Sequence, residues 1–171
     1  MEPRMVKYQL TRKEILDLIR RADCGTLCTN GTDGYPYGTP VNHVLIDDRI
    51  FFHGRRQGTR NSNIAADDRC SMTFVEERGY QGYGENACDT DTLFRSVIVY
   101  GHVTEVTDHD EKMAVLRALT DRLVPDRTRM PIDPARVDRS GVYEIIVERM
   151  TGKYRDLKPS SMIYEKNTGV V

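Results

Sequence analysis

The chain has 171 residues, of which 39% are hydrophobic and 30% charged; 25 Lys and Arg face 26 Asp and Glu, a formal charge of -1. That length points to one domain, read here as residues 1–171 with a core over 11–153 and a C-terminal tail over 154–171. The even charge balance argues against a general polyanion binder or a membrane-surface protein, so any anion site has to be local.

Apolar runs stay far short of the roughly 20 residues of a membrane helix, and the N-terminus lacks an apolar leader. Cys24, Cys28, Cys70 and Cys88 show no CxxC spacing and no histidine at a zinc-finger offset, so they read as idle thiols in a reducing compartment. A cytoplasmic location is expected, and no metal site.

Thr11 and Glu14 form the pattern of a capping box. Ile15, Leu18, Ile19 and Ala22 then recur on one helical face, which predicts a helix over 11–23 with Gly25 at its end. A short strand is expected over 26–29. Asn30-Gly31 and Asp33-Gly34 mark turns. The next strand is read as one piece over 37–46, with Thr39, Val41, His43 and Leu45 on one face and Pro40, Asn42, Val44 and Ile46 on the other. Pro40 cannot donate to a ladder and argues for an edge, a bulge or an opening. Asp47-Asp48 turns the chain into a strand over 50–53. A polar, basic loop follows and enters a short helix over 61–67 that Asn61 or Ser62 caps.

A strand is expected over 69–76, a long acidic loop over 77–91, and a long strand over 93–106 with a bulge or bend at Gly101. Asp108 and Glu111 suit the start of a helix whose buried stripe is Leu116, Leu119 and Leu123, completed by Met113 and Thr120. A proline-rich connector fills 125–134, and a strand over 142–150 closes the sheet. The tail beyond has little pattern and reads as loose at its end. The expected fold class is mainly β with α additions: about six largely antiparallel strands in a closed or half-closed barrel, with two or three helices.

The chemistry concentrates in residues 53–60, His-Gly-Arg-Arg-Gln-Gly-Thr-Arg. A phosphate monoester needs charge-assisted donors in a cradle. Arg55, Arg56 and Arg60 bring guanidinium forks, Thr59 and Ser62 bring hydroxyls, and His53 brings a ring N–H. Gly54 and Gly58 let backbone amides come close, and the helix that follows directs its N-terminus at the same place. His53 also reads as a strand-end histidine bonded to a carbonyl, and His43 and His102 as ordinary sheet residues. A flat ring system would find apolar walls and backbone amides and carbonyls along Tyr37–His43, where Pro40 leaves a ladder position open.

PYGTPVNHV followed by IFFHGRRQGTRNSNI, then RSVIVYG and TGK, resembles the pyridoxamine 5′-phosphate oxidase-like split β-barrel superfamily. Within it, the sequence is most similar to the branch of small flavoproteins related to 5-nitroimidazole-resistance proteins. The resemblance implies an FMN-binding split barrel, a homodimer with two FMN sites at the subunit interface. By position, His53, Arg55, Thr59 and Arg60 would hold the phosphate. Thr39, Val41, Asn42 and His43 would line the ring and ribityl chain, while Ser96 and Val97 would approach the flavin, from the other subunit if the site is shared. The histidine of the Phe-His-Gly motif, here His53, lies at the active site of the nitroimidazole-resistance relatives. Arg55 stands where relatives carry a small residue. The chain has no Trp, and its end does not match the basic, tryptophan-containing substrate segment of true pyridoxamine 5′-phosphate oxidases, so that substrate is not expected.

The functional expectation is an NAD(P)H-dependent oxidoreductase passing electrons through FMN to a small acceptor such as a nitroaromatic, with His53 as catalytic residue. The alternatives are a flavin carrier or sensor without efficient turnover, and a split barrel that binds F420 or haem.

Overall fold

The computed structural model describes residues 6–157 and 162–164. In chain order the elements are α1 (Arg12–Arg21), β1 (Gly25–Asn30), β2 (Pro36–Val41), β3 (His43–Ile46), β4 (Arg49–Gly54), α2 (Thr59–Ala66), β5 (Arg69–Gly82), β6 (Thr90–Glu105), α3 (His109–Leu123), α4 (Pro134–Arg139), β7 (Gly141–Arg155) and β8 (Met162–Tyr164), with a 3₁₀ turn at Pro125–Arg127. The described residues thus hold eight strands, not six. The additions come from a strand that splits and from a short one late in the chain.

The split decides the architecture. Hydrogen-bonded neighbours run β2-β1-β5-β6-β7-β4-β3, with β8 on the edge of β5. Each of these pairings is antiparallel. The strand expected over 37–46 breaks at Asn42, so that Val41 ends one extreme of this path and His43 begins the other. One residue therefore links the two ends of the ladder, and the sheet has to curl round to let it. Pro40 sits in β2, the end strand of the path, where its missing N–H costs no ladder bond.

The long strands carry the curvature. β6 and β7 lose register between Tyr100 and Gly101, the expected bulge. A Cβ at Gly101 would lie 2.1 Å from the Ile146 carbonyl oxygen, so only glycine lets β7 cross so closely. The acidic segment expected as a loop over 77–91 is mostly strand: β5 and β6 form a long hairpin, and only 83–89 remain at its tip. Its missing apolar period did not prevent pairing: the ribbon buries Gly79 and Gln81 and pairs with β8 at its edge. Between β3 and β4, Asp47 (φ 48°) and Asp48 (φ 63°) make a two-residue turn whose twist suits a hairpin.

Two cores result. The barrel interior gathers Leu27, Val41, Ile50, Phe52, Met72, Phe74, Val97, Val99 and Ile145 and is closed by Ile15, Leu18 and Ile19 of α1. Thr11 and Glu14 form the expected reciprocal cap on α1. The helix ends at Ala22, however, and Gly25 instead opens β1, wedged against Met72 and Phe74. A second cluster, Val44, Phe51, Val106, Val115, Leu119 and Val142, lies between the outside of β3, β4 and β7 and the helix α3. Asp108 caps α3 as expected, but the stripe it buries is Lys112, Val115 and Leu119. Leu116 and Thr120 are only partly covered, and Leu123 is 39% exposed. The expected connector contains α4 at its end, and β7 runs on to Arg155. The last residues, expected to be loose, fall largely outside the described residues.

Candidate functional site

β4 ends at Gly54, and the basic loop leads into α2, which begins at Thr59 with Gly58 as its N-cap. Asn61 and Ser62 are therefore in the first turn and not the cap. Their amides both reach back to the Gly58 carbonyl, at 3.0 and 3.1 Å. Gly58 has φ 115°, a conformation that costs a side-chain-bearing residue, and no side chain caps the helix. The amides of Thr59 and Arg60, which a helix start leaves without intrahelical acceptors, face outward uncapped.

Above this helix start the arginines divide their work. Arg56 pairs with Glu105 at 2.6 Å. Arg60 folds back over the barrel mouth: its guanidinium lies 5.5 Å from both the Phe52 and Tyr143 ring centres, which are themselves stacked at 5.1 Å. Its Nη2 donates to the Arg55 carbonyl at 2.9 Å and its Nε to Asn61 Oδ1 at 2.9 Å. Asn61 Nδ2 in turn donates to the Arg55 carbonyl and to the Tyr143 hydroxyl, each at 2.8 Å. Glycine at position 54 leaves room for this placement, since a Cβ there would meet Arg60 Nη2 at 2.7 Å. Arg55 is exposed, and its guanidinium makes no hydrogen bond or ion pair among the described residues. The loop thus holds one free guanidinium, one braced guanidinium, the Thr59 hydroxyl and two open amides on a fixed backbone.

The other expected site residues lie elsewhere. Val41, His43 and Val97 turn into the barrel. His43 is fully buried: its Nε2 donates to the Ile19 carbonyl at 2.6 Å, and its ring meets Phe74 edge-on at 4.7 Å. Arg122 donates to the His43 carbonyl at 2.6 Å and to the Ala22 carbonyl, which ties α3 to the end of α1. Burial, set against the bond to Ile19, lowers the His43 pKa to about 4. The His43 ring is thus part of the fold's interior and not a ring-lining group, because alternation from Val41 points it inward. Thr39 Oγ1 is buried without a partner, and Asn42 is exposed at the break.

His53 follows Phe52, so alternation places it on the opposite face of β4 from the Arg60 stack. Its ring lines a groove with Leu116, Leu119, Leu123 and Val137. Part of the ring reaches solvent; burial of the rest, and then the charge of Arg60, hold its pKa below the ordinary 6.5.

Ser96 pairs with Lys153 on β7, whereas His53 pairs with Val142 on the same strand. At about 3.3 Å per residue these lie up to roughly 35 Å apart along β7. Ser96 borders a cavity of about 430 Å³ on the outer face of β6 and β7, with Leu10, Ile98, Tyr100, Met150 and Lys153 around it. One chain therefore brings Gly54, Arg55, Gly58, Thr59 and Arg60 together and leaves Ser96 at a distance. Sequence reasoning missed Asn61 as the brace of the loop and Tyr143 as its floor. The signal for Tyr143 was its place at the start of the last strand, where the register sets it opposite Phe52.

Together, these features define a curled antiparallel sheet with a basic loop at the end of a strand: a split barrel. Residues 11–154 match the pyridoxamine 5′-phosphate oxidase family, and the chain belongs to it. No curated protein sequence matches the chain. Among solved structures it is similar to a candidate 5-nitroimidazole antibiotic resistance protein from Bacteroides thetaiotaomicron (TM-score 0.72, 21% identity, 85% of each chain covered). It is also similar to the flavocytochrome Anf3 from Azotobacter vinelandii (TM-score 0.79, 18% identity, 98% of this chain and 76% of that one). A third is the FAD and haem binding protein from Mycobacterium smegmatis (TM-score 0.77, 19% identity, 87% and 74%). At these identities the likeness establishes the fold. Among the described residues no helix is long and apolar enough to cross a membrane.

Proposed function

We propose that the chain is an FMN-dependent oxidoreductase of the cytoplasm, drawing electrons from NAD(P)H and passing them to a small acceptor such as a nitroaromatic. The observation that carries this reading is the uncapped start of α2 beside a guanidinium, Arg55, that has no partner among the described residues. That donor set suits a phosphate dianion: two amides on a helix N-terminus, a hydroxyl and a guanidinium fork. The orphaned Thr39 Oγ1 suits a polar ligand edge near the break at Asn42.

Arg55 and Thr59 would hold the phosphate, with Arg60 and Gly58 fixing the backbone that presents them. FMN supplies two-electron transfer when bound. The residues around the cavity at Ser96 would give apolar walls, and the Lys153 ammonium would favour negative charge at the polar edge of the ring. Since that cavity and the loop lie far apart on one chain, the proposed site is shared: loop from one protomer, β6–β7 face from its partner, in a homodimer. The same face in isolation would suit a flavin carrier, and the flavocytochrome and haem-binding neighbours keep FAD and haem as the second reading.

Titration with FMN, riboflavin, FAD and haem tests this. The expected result is FMN binding at least tenfold tighter than riboflavin, with the difference abolished in Arg55→Gln. Equal affinity for FMN and riboflavin would sink the phosphate assignment; tight haem with no flavin would select the second reading. Mixing Arg55→Glu with Ser96→Trp, each deficient alone, should restore one site per heterodimer if the site is shared. Bleaching of the bound flavin by NADPH or NADH under anaerobic conditions then separates a reductase from a carrier.

A further inference from the structure

The groove that His53 faces is separate from the phosphate loop. It lies between the end of β4, the exposed side of α3 and the helix α4, and has a volume of about 290 Å³. Its walls are Leu116, Leu119 and Leu123 from α3, Val124 and Ile132 from the connector, and Val137 from α4.

Three observations make this more than a seam between helices. First, α3 buries Lys112, Val115 and Leu119, so Leu116, Thr120 and Leu123 form a second stripe that is only partly covered, Leu123 least of all. Leu123 and Val124 remain 39% and 45% exposed next to one another, an apolar exposure that a small chain does not ordinarily leave at a concave place. Second, the polar groups at the groove are almost all committed elsewhere. Thr120 donates to the Leu116 carbonyl at 2.9 Å, Ser140 to the Arg136 carbonyl at 2.8 Å, and the Arg136 guanidinium leans on Asp133 at 3.7 Å. Third, His53 is the exception, for its ring nitrogens make no hydrogen bond among the described residues. Its lowered pKa keeps the ring neutral at pH 7, so it presents one donor and one acceptor.

We propose that this groove is a binding site for a small, uncharged, largely apolar molecule of about phenol to indole size, with the His53 ring as its single polar contact. The walls select an apolar body. A neutral imidazole selects a hydroxyl or ring N–H edge over a carboxylate, and the Arg136 guanidinium at the rim is solvent-exposed beside Asp133. An apolar cavity of about 150 Å³ takes a benzene, so a groove of about 290 Å³ has room for a phenol- to indole-sized body. The site is built from β4, α3, the connector and α4, with no residue of the 55–60 loop, so it stands whether or not the phosphate loop binds a flavin.

The test is NMR titration of the protein with phenol, with benzoate as the charged control, following the His53 ring Cε1–H resonance and assigning it by its loss in His53→Gln. Saturable movement of that resonance at millimolar phenol, with at least tenfold weaker response to benzoate, is the expected result. Leu123→Trp fills the groove from its exposed rim and leaves the buried stripe of α3 intact; it should abolish the response while the melting temperature holds. No saturable shift at any soluble phenol concentration overturns the proposal. So does a benzoate response as strong as that of phenol, or a phenol response that survives in Leu123→Trp. FMN binding in Leu123→Trp is read in parallel: it should be unchanged, so the failure of either site is seen separately.

Discussion

His43 gives a prediction whose size follows from the structure. The ring is fully buried; Nε2 donates to the Ile19 carbonyl, and Nδ1 has no partner. Protonating Nδ1 would place a second cation in the barrel wall, with an Arg122 Nη1 already 3.2 Å from Nε2. The folded pKa is therefore lowered to about 4 against 6.5 in the unfolded chain. Because the folded ring resists protonation, the stabilisation is complete above pH 6.5 and is lost as pH falls towards 4. At 1.36 kcal/mol per pH unit of separation, His43 alone removes about 1.4 kcal/mol by pH 5.5 and about 3 kcal/mol by pH 4. His43→Gln sets an amide where Nε2 lies and cannot take a proton. Urea unfolding of both proteins from pH 7.5 to 4.5 isolates the effect, since all other titrating groups are common to them. The gap between the two stabilities should change by more than 1 kcal/mol on passing from pH 7.5 to 5.5, in favour of the glutamine variant. Parallel curves across that range would refute the argument that His43 is held neutral by burial.

The remaining predictions concern the sheet, a cap and the thiols. Gly101→Ala forces a Cβ to within 2.1 Å of the Ile146 carbonyl oxygen and should cost about 1–3 kcal/mol in denaturant unfolding; an unchanged midpoint would show that β6 and β7 do not cross as described. Asp108→Ala removes the acceptor of the Glu111 amide at 2.8 Å and should lose about 1 kcal/mol, with Asp108→Ser losing little. Burial pushes the Cys70 thiol up to about 12, while Cys24 and Cys88 are exposed. A thiol reagent at pH 8 should therefore modify Cys24 and Cys88 quickly and spare Cys70 until urea unfolds the chain. Rapid modification of Cys70 in the native protein would contradict its place in the core.

Much of the fold was legible in local chemistry. Thr11 with Glu14, Asp108 before Glu111, the Asp47-Asp48 turn and the bulge at Gly101 all follow from what short stretches can do by themselves. The residues of the basic loop were legible too, because Gly58 and the arginines crowd the few positions after β4. What failed was anything that depends on a distant partner. The alternation over 37–46 was read correctly, yet one strand became two because Val41 answers to β1 and His43 to β4. The stripe of α3 was misplaced by one residue because Lys112 has as long an apolar stem as any leucine and finds the Asp138 carbonyl at 3.1 Å.

By itself, then, the sequence determined the N-terminal caps of α1 and α3, the Asp47-Asp48 turn, the inward and outward faces over 37–46 and the residue types gathered at 55–60, since each of these is settled within a few bonds or one helical turn. Tertiary structure alone decided that the sheet closes on itself through Asn42, that His43 is a buried tie and not a ligand group, that His53 faces a groove on the far side of β4 from Arg60, and that Ser96 stands a strand's length from the loop. Those are questions of which segments meet. The burial of apolar faces and the pairing of backbone groups across many residues answer them, and no local stretch contains that information.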